Sequence, residues 1–258
     1  MLAPVRTSNA KARDAVRANP TWYHTIELAP GVVTPGQIDL RETAARILPA
    51  DLSGKRALDI GTFDGFWAFE LERRGAEVVA IDTDEITANE WPPRNRAKLE
   101  AAIADYGVEL GRGFRIAAEA LGSRAERVVC DVYDLDPEAV GGQVDFAFCG
   151  SLLLHLRDPV RALERVRETL RAGGELRMFE PVSPALTALL PRRAAARFDA
   201  DRTEFNWWVA NVAGLRAWCI AAGFTEARRI AFARPPSTDR MRQLHVALAA
   251  RGLAPELA

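Results

Sequence analysis

The stretch KRALDIGTFDGFWAFELERRGAEVVAIDTD, residues 55–84, decides the fold of this chain. It contains an apolar run, a loop with Gly61 and Gly65, a helical stretch and a second apolar run that ends in Asp82. This order of strand, glycine turn, helix, strand and acid predicts the nucleotide-binding half of an open α/β sheet. Gly61 allows a tight turn after the strand, and Gly65 allows the helix to begin close to a ligand.

The spacing of acids and glycines favours S-adenosylmethionine (SAM) over a dinucleotide. Dinucleotide sites carry three glycines, because a pyrophosphate needs close approach to the backbone at the helix N-terminus. Here the third glycine is missing, and Asp59 stands two residues before Gly61. A carboxylate would repel a pyrophosphate, but it suits the ammonium group of SAM, and Asp82 can accept both ribose hydroxyls. A dinucleotide oxidoreductase is therefore the least favoured alternative.

The motif LDIGTFDG resembles the first motif of the class I SAM-dependent methyltransferases, which reads acid-x-Gly-x-Gly-x-Gly. Phe63 replaces the middle glycine, so we expect its side chain to avoid the cofactor and to face the substrate. With WYHTIELAPGVVTPG, SLLLHLRDP and NWWVANVAGLRAWCIAAGF, the motif is similar to a bacterial group related to the tRNA wobble-uridine carboxymethyltransferases. The resemblance covers residues 22–224. It implies an α/β Rossmann-like fold with a seven-stranded sheet, order 3-2-1-4-5-7-6, flanked by helices.

Length and composition predict one globular domain with an appendage. The chain has 258 residues, 48% of them apolar and 27% charged, as in ordinary soluble proteins. We expect residues 1–52 to form an N-terminal cap or lid. Residues 53–258 are expected to form the SAM-binding domain, with a substrate-side insertion at about 182–211. A net charge of −1 and a pI near 6.4 provide no overall basic field toward nucleic acid or anionic membranes.

Cysteine usage and hydropathy predict a cytoplasmic protein. Cys130, Cys149 and Cys219 are far apart and odd in number, which favours reduced core thiols over a disulfide framework or a zinc site. The N-terminal stretch has no apolar run of signal-peptide length, and no later stretch is suited to span a bilayer. No metal site is predicted.

The cofactor site is expected to extend along the carboxyl edge of the sheet. In the methyltransferase fold an acid after the third strand receives the adenine amino group, and Asp131 fits this role by position; a solvated loop acid is the alternative. The predicted cofactor-binding residues are Asp59, Gly61, Thr62, Phe63, Gly65, Asp82, Asp131, Val132, Cys149 and Gly150.

Two histidines and several aromatic residues are candidates for the reaction site. His155 follows the fourth predicted strand, and His24 lies in an N-terminal aromatic run; either can serve as a general base or as a structural group. We expect an aromatic box over the transferred methyl group, with core packing as the alternative. The predicted substrate-binding residues are Trp22, Tyr23, Phe66, Trp207, Trp208 and Asn211.

The tRNA enzymes of the related group use carboxy-SAM, whose carboxylate is held by a lysine before the core and a tyrosine after the fourth strand. Here Tyr23 and His24 occupy the lysine region, and Leu154 takes the tyrosine position. These departures predict methyl transfer from plain SAM to an oxygen or nitrogen atom of a small molecule. A tRNA-modifying enzyme is the alternative among enzymes, and a SAM-binding module without catalysis is the alternative from another class.

Overall fold

The computed structural model describes residues 8–85, 90–106, 109–203, 205–238 and 243–252. The helices in these ranges are α1 (Asn9–Ala18), α2 (Arg41–Ile47), α3 (Phe66–Arg73), α4 (Pro93–Tyr106), α5 (Arg112–Leu121), α6 (Pro159–Thr169), α7 (Pro184–Leu189) and α8 (Val212–Ala221). The strands are β1 (Glu27–Ala29), β2 (Val32–Val33), β3 (Arg56–Ile60), β4 (Glu77–Asp82), β5 (Glu126–Val129), β6 (Val144–Gly150), β7 (Leu170–Pro181), β8 (Ala196–Phe198), β9 (Trp208–Ala210), β10 (Glu226–Ala233) and β11 (His245–Arg251).

The central sheet has seven strands in the order β10-β11-β7-β6-β3-β4-β5. Strand β11 runs antiparallel to both of its neighbours, and the other pairs are parallel. When the sheet strands are numbered along the chain, this order is 3-2-1-4-5-7-6, as predicted. The chain winds in opposite directions from β3 and from β6. The carboxyl ends of these two neighbouring strands therefore form the topological switch point, where ligands bind in open α/β sheets.

Strand register brings the predicted motifs to one edge of the sheet. Ile60 lies opposite Ile81 on β4 and opposite Cys149 on β6. The residues that follow these three in sequence, Gly61, Asp82 and Gly150, therefore lie side by side at the carboxyl edge of the sheet. The glycine loop, the acid after the second core strand and the end of the fourth core strand meet at the switch point.

Apolar side chains cover both faces of the sheet, as expected for parallel strands. One core cluster joins the sheet to α1, α2, α3 and α5, and the other joins it to α6, α8 and the turn after β5. Ala12, Trp22, Ile26 and Leu28 belong to the first cluster. These four residues of the N-terminal segment are thus packed into the core, and the predicted boundary at residue 52 stays a prediction.

The predicted insertion after β7 contains α7 and an antiparallel pair of strands, β8 and β9. Asn211 ends this segment and caps α8, with its Oδ1 accepting the Gly214 N–H at 2.7 Å. Among the helices that the structure describes, none combines the length and the apolar character needed to cross a bilayer.

Candidate functional site

The loop between β3 and α3 has three residues in left-handed conformations. Their φ values are +71° at Gly61, +51° at Phe63 and +91° at Gly65. A positive φ is uncommon for a bulky residue such as Phe63. The loop is held at the edge because the N–H groups of Gly61 and Thr62 donate to the Ile81 carbonyl at 3.0 and 3.1 Å. Phe63 is 38% exposed and its ring makes an edge contact with the Tyr23 ring; that it faces the substrate stays a prediction.

The structure gives a different reason for Gly65 than closeness to a ligand. A Cβ atom on Gly65 would lie 2.5 Å from the Phe69 ring and 2.7 Å from the Phe114 ring. Gly65 is therefore required by its φ of +91° and by aromatic packing in the core.

Asp82 is oriented by two backbone donors. Phe63 N–H donates to Oδ2 at 2.7 Å, and Thr83 N–H donates to Oδ1 at 2.8 Å. Burial raises the pKa of this carboxyl group, and the two backbone bonds oppose that rise. Each oxygen keeps a lone pair, so the carboxylate is suited to accept further hydrogen bonds from neighbouring hydroxyl groups.

Asp59 lies beneath the glycine loop and is fully buried. The Thr62 hydroxyl and the Ala68 N–H lie close enough to moderate its pKa, but neither carboxylate oxygen has a hydrogen bond of normal geometry. Burial raises the pKa of Asp59 to about 7. A carboxylate without such a partner is costly to bury, and a positive charge brought to this edge by a ligand would reduce the cost.

The ends of β5 and β6 present backbone more than side chains. Asp131 begins a short turn in which its Oδ1 accepts the Tyr133 N–H at 2.8 Å. Val132 and Cys149 direct their side chains into the core. At Gly150, a Cβ atom would lie 2.9 Å from Nε1 of Trp67, so a larger residue does not fit.

Glu180, at the end of β7, was missed by sequence reasoning. Its Oε1 accepts the N–H groups of Leu152 at 3.0 Å and Leu153 at 3.3 Å, and the Cys149 thiol at 3.7 Å. Burial raises the pKa of Glu180 to about 7. The sequence feature that could have identified Glu180 is the one that identified Asp82, namely an acid at the end of an apolar run.

His24 and Tyr23 are held by Asp64 of the glycine loop. The His24 Nδ1 pairs with Asp64 Oδ1, and the backbone N–H groups of Tyr23 and His24 donate to Oδ2 at 3.0 and 2.8 Å. Burial, followed by the charges of Asp64 and Glu180, raises the pKa of Tyr23 to about 12. His24 is thus a buried member of a fixed cluster, which opposes its predicted role as a base.

Two predicted substrate-binding residues lie in the core instead of the cleft. Trp22 is 3% exposed, and its Nε1 donates to the Val16 carbonyl at 3.1 Å. Phe66 is 2% exposed and lies between the rings of His24 and Trp67. The sequence placed Trp22 in the cleft because aromatic residues cluster there, whereas alternation along the chain turns Trp22 inward and leaves Tyr23 half-buried.

Asn211 is also structural. Its Oδ1 accepts the N–H groups of Gly214 and Ala195, and its Nδ2 donates to the carbonyls of Leu190 and Arg193 at 2.8 and 2.9 Å. The residue is fully buried, and both polar atoms of its amide are used. It holds the insertion against α8, and no polar atom is left for a substrate.

The tryptophans of the insertion donate hydrogen bonds to loops at the carboxyl edge of the sheet. The Trp207 Nε1 donates to the Glu90 carbonyl, and the Arg157 guanidinium lies 4.9 Å from the centre of a Trp207 ring. The Trp208 Nε1 donates to the Arg157 carbonyl at 3.1 Å. Both tryptophans are half-buried.

The predicted single aromatic box is two separate groups. Tyr23 and Phe63 belong to a chain of ring contacts that continues through His24, whereas Trp207 and Trp208 contact Phe198. Among the described residues, no ring contact joins the two groups. The structure therefore does not bring these residues together into one box.

His155 is half-buried in the turn after β6. Its Nδ1 lies 3.1 Å from the Phe205 carbonyl, so Nδ1 carries the proton and Nε2 keeps a lone pair. Burial lowers the pKa of His155 below its usual value. A neutral imidazole held in this tautomer is suited to accept a proton.

Helix α4 bridges the carboxyl edge of the sheet. At its beginning, Arg94 donates to the Asp201 carbonyl and Asn95 donates to the Thr203 carbonyl at 3.1 Å, both in the insertion. Beyond its other end, residues 109–111 line a small pocket together with Phe63 of the glycine loop. Helix α4 is therefore tied to the insertion at its beginning, and the loop after it lies beside the glycine loop.

The described residues include no group of three or more His, Cys, Asp or Glu side chains that is arranged to hold a metal ion. Cys130, Cys149 and Cys219 are all free thiols.

Comparison with known proteins gives one family match. Residues 37–227 match the family model described as Methyltransferase domain. A tRNA U34 carboxymethyltransferase from Pseudomonas paraeruginosa is 29% identical over 190 residues, covering 71% of this chain and 49% of the relative. The chain thus spans about half the length of the curated relatives it matches.

Solved structures share the fold at low identity. The N-terminal domain of EvdMO1 with SAH bound has a TM-score of 0.61 at 19% identity, covering 97% of this chain and 100% of that one. The Burkholderia thailandensis 1,6-didemethyltoxoflavin-N1-methyltransferase, with that substrate and S-adenosylhomocysteine bound, has a TM-score of 0.50 at 17% identity. This second match covers 95% of our chain and 80% of the other.

Proposed function

Since this chain belongs to the methyltransferase domain family, we propose that it is a SAM-dependent methyltransferase that methylates an oxygen or nitrogen atom of a small-molecule acceptor. The observation that carries the proposal is the link between α4 and the insertion. Helix α4 is tied to the insertion through Arg94 and Asn95, and we infer that together they cover the carboxyl edge of β3 and β6. A cleft covered in this way favours a small ligand, as in most small-molecule sites.

The residues at the switch point fit the cofactor. Asp82 keeps lone pairs for the ribose hydroxyls, and Asp59 supplies a buried negative charge beneath the loop that would face the ammonium end. We assign Asp131 to the adenine amino group, because one of its oxygens remains outside its turn hydrogen bond. When bound, SAM supplies the electrophilic methyl group, and the protein contributes proximity, alignment and exclusion of water.

We expect Asp82→Ala to weaken SAM binding by about 1–3 kcal/mol, because a charge-assisted pair of hydrogen bonds to the ribose is lost. Isothermal calorimetry measures this directly. Asp84→Ala is the matched control, because Asp84 pairs with Arg127 at 2.6 Å and its side chain is 46% exposed. Equal SAM affinity in Asp82→Ala and the wild-type protein would remove Asp82 from the ribose site.

The acidic groups near Tyr23 bear on which donor binds. Tyr23 lies in the field of the Asp64 and Glu180 carboxyl groups, and we infer that this part of the cleft suits a sulfonium cation. A donor with an extra carboxylate, such as carboxy-SAM, would meet repulsion there. We expect SAM to bind at least about tenfold more tightly than carboxy-SAM in competition calorimetry.

Glu180→Gln is the matched variant for the donor prediction. Glutamine retains an oxygen that can accept the Leu152 and Leu153 N–H groups, but it removes the charge. The ratio of the SAM affinity to the carboxy-SAM affinity is expected to be smaller in this variant than in the wild-type protein. Tighter binding of carboxy-SAM by the wild-type protein would contradict the assignment and would favour the tRNA alternative.

Further parts of the proposal concern the surroundings of the cleft. We assign His155 as the general base, since its Nε2 keeps a lone pair at the carboxyl edge. Residues 8–52 form the wall that carries Tyr23, and the insertion at 182–211 forms the opposite wall. Three free thiols support a cytoplasmic location.

The second candidate acceptor is tRNA, favoured by the names of the curated relatives. The test is incubation with methyl-labelled SAM and, in parallel, a low-molecular-weight extract and the total tRNA of the source cells. We expect label in the low-molecular-weight fraction. Label in tRNA would contradict the small-molecule proposal, and SAM binding without transfer to either fraction would indicate a module without catalysis.

A further inference from the structure

Ser151 and His245 form a pair at the carboxyl edge that lies outside the site predicted from sequence. Ser151 directly follows β6, and its Oγ lies 3.3 Å from Nε2 of His245, the first residue of β11. The Ser151 N–H donates to the Phe179 carbonyl at 2.9 Å, and His245 lies opposite Pro181 of β7. The pair is therefore anchored beside the switch point, where the cofactor and acceptor must meet.

The surroundings of His245 determine which atom carries each proton. Nδ1 lies 3.1 Å from the Gln243 carbonyl, which can only accept, so Nδ1 must be protonated. Burial lowers the pKa of His245 to about 4, so the ring is neutral near pH 7 and Nε2 has a lone pair. The ring is fixed by stacking on Phe179, with centroids 4.6 Å apart. The Ser151 hydroxyl must therefore donate its proton to Nε2.

Ser151 occupies an unfavourable backbone conformation directly after the end of β6. Its φ is +53°, a left-handed value that costs a serine more than a glycine. His245 is 4% exposed, whereas Ser151 is half-buried. The residue after Ser151 lies beside the glycine loop, because a Cβ atom on Gly61 would be 3.4 Å from the Leu152 side chain. Strained non-glycine residues concentrate at functional sites, so the Ser151 hydroxyl is a candidate ligand contact.

We propose that Ser151 is a substrate-binding residue that accepts a hydrogen bond from a hydroxyl or N–H group of the acceptor, next to the atom that is methylated. His245 fixes the Ser151 proton in the core, so that only oxygen lone pairs face the cleft. The acceptor is then a small molecule with at least two protic groups, such as a polyhydroxylated or amino-hydroxylated compound. This inference rests on the proposed small-molecule methylation and specifies its substrate class.

Ser151→Gly separates this role from a structural one. Glycine relieves the positive φ but removes the hydroxyl, so we expect an equal or higher melting temperature and SAM affinity within about twofold of wild type. Incorporation of labelled methyl into the low-molecular-weight extract, at subsaturating extract, is expected to fall about ten- to a hundredfold. Ser151→Ala should show the same loss without the gain in stability.

A second variant and a spectroscopic measurement complete the test. His245→Phe retains an aromatic ring against Phe179 but removes Nε2, so it should also reduce incorporation by raising the acceptor KM, with SAM affinity retained. Two-bond 15N–1H NMR correlations should show the proton of His245 on Nδ1. Wild-type incorporation by Ser151→Gly, or a proton on Nε2, would overturn the inference. Absence of any labelled product with the wild-type protein would instead count against the proposed function, and the NMR result would still decide the proton arrangement.

Discussion

Replacing His155 by alanine is expected to lower kcat by about 10²- to 10⁴-fold, the usual contribution of a general base. The reason is the tautomer set by the Phe205 carbonyl, 3.1 Å from Nδ1, which leaves the Nε2 lone pair for the acceptor proton. Melting temperature and SAM affinity are expected to remain close to wild type, because the residue is half-buried in a loop. Label transfer from SAM, measured in single turnover, separates this chemistry from binding.

His155→Gln is the matched variant for this prediction. The glutamine amide can still donate to the Phe205 carbonyl, but it cannot take a proton, so turnover should stay low. Burial lowers the pKa of His155 below its usual value of 6.5. We therefore expect turnover to persist below pH 6.5 and to fall only at the lower pH where the imidazole becomes protonated. Full turnover in His155→Gln would show that the imidazole only supports the loop, and the base would have to be sought elsewhere.

Replacing Trp22 by alanine is expected to lower the free energy of unfolding by about 3–5 kcal/mol, as for other large aromatic residues cut from a core. Trp22 is 3% exposed and lies in the core cluster that joins α1, α3 and α5 to the sheet. The substitution also removes the Nε1–H donor of the Val16 carbonyl, which lies 3.1 Å away. Urea unfolding measures the change, and SAM affinity of the folded fraction should stay within about twofold of wild type.

Trp208→Ala provides the control, because Trp208 is half-buried and contacts the insertion instead of the main core. We expect a smaller loss of stability from this variant than from Trp22→Ala. If Trp22→Ala instead melted like the wild type and lost turnover, the result would contradict a core role for Trp22 and would assign it to the acceptor site.

The fold could be predicted because its determinants are local in sequence. Asp59, Gly61 and Asp82 lie within one strand–helix–strand unit, and the cap formed by Asp158 and Pro159 sets the beginning of α6. Seven strands in the predicted order follow once this unit is identified with the methyltransferase fold.

The walls of the cleft could not be predicted in the same way, because they depend on contacts between distant parts of the chain. Ser151 meets His245 across 94 residues, and Trp207 meets Glu90 across 117. No spacing rule in a single sequence identifies such pairs. Composition also failed to separate exposed from buried aromatic residues, because Trp22 and Tyr23 are adjacent in sequence but differ in burial.

The most direct test of the central claim is a competition in which SAM and carboxy-SAM carry different labels and are offered together. The acceptor pools are the low-molecular-weight extract and the total tRNA, and the label in each pool is read after one turnover. The acidic groups near Tyr23 and the link between α4 and the insertion predict methyl label in the small-molecule pool. Carboxymethyl label in the tRNA pool would contradict both the donor and the acceptor that we propose.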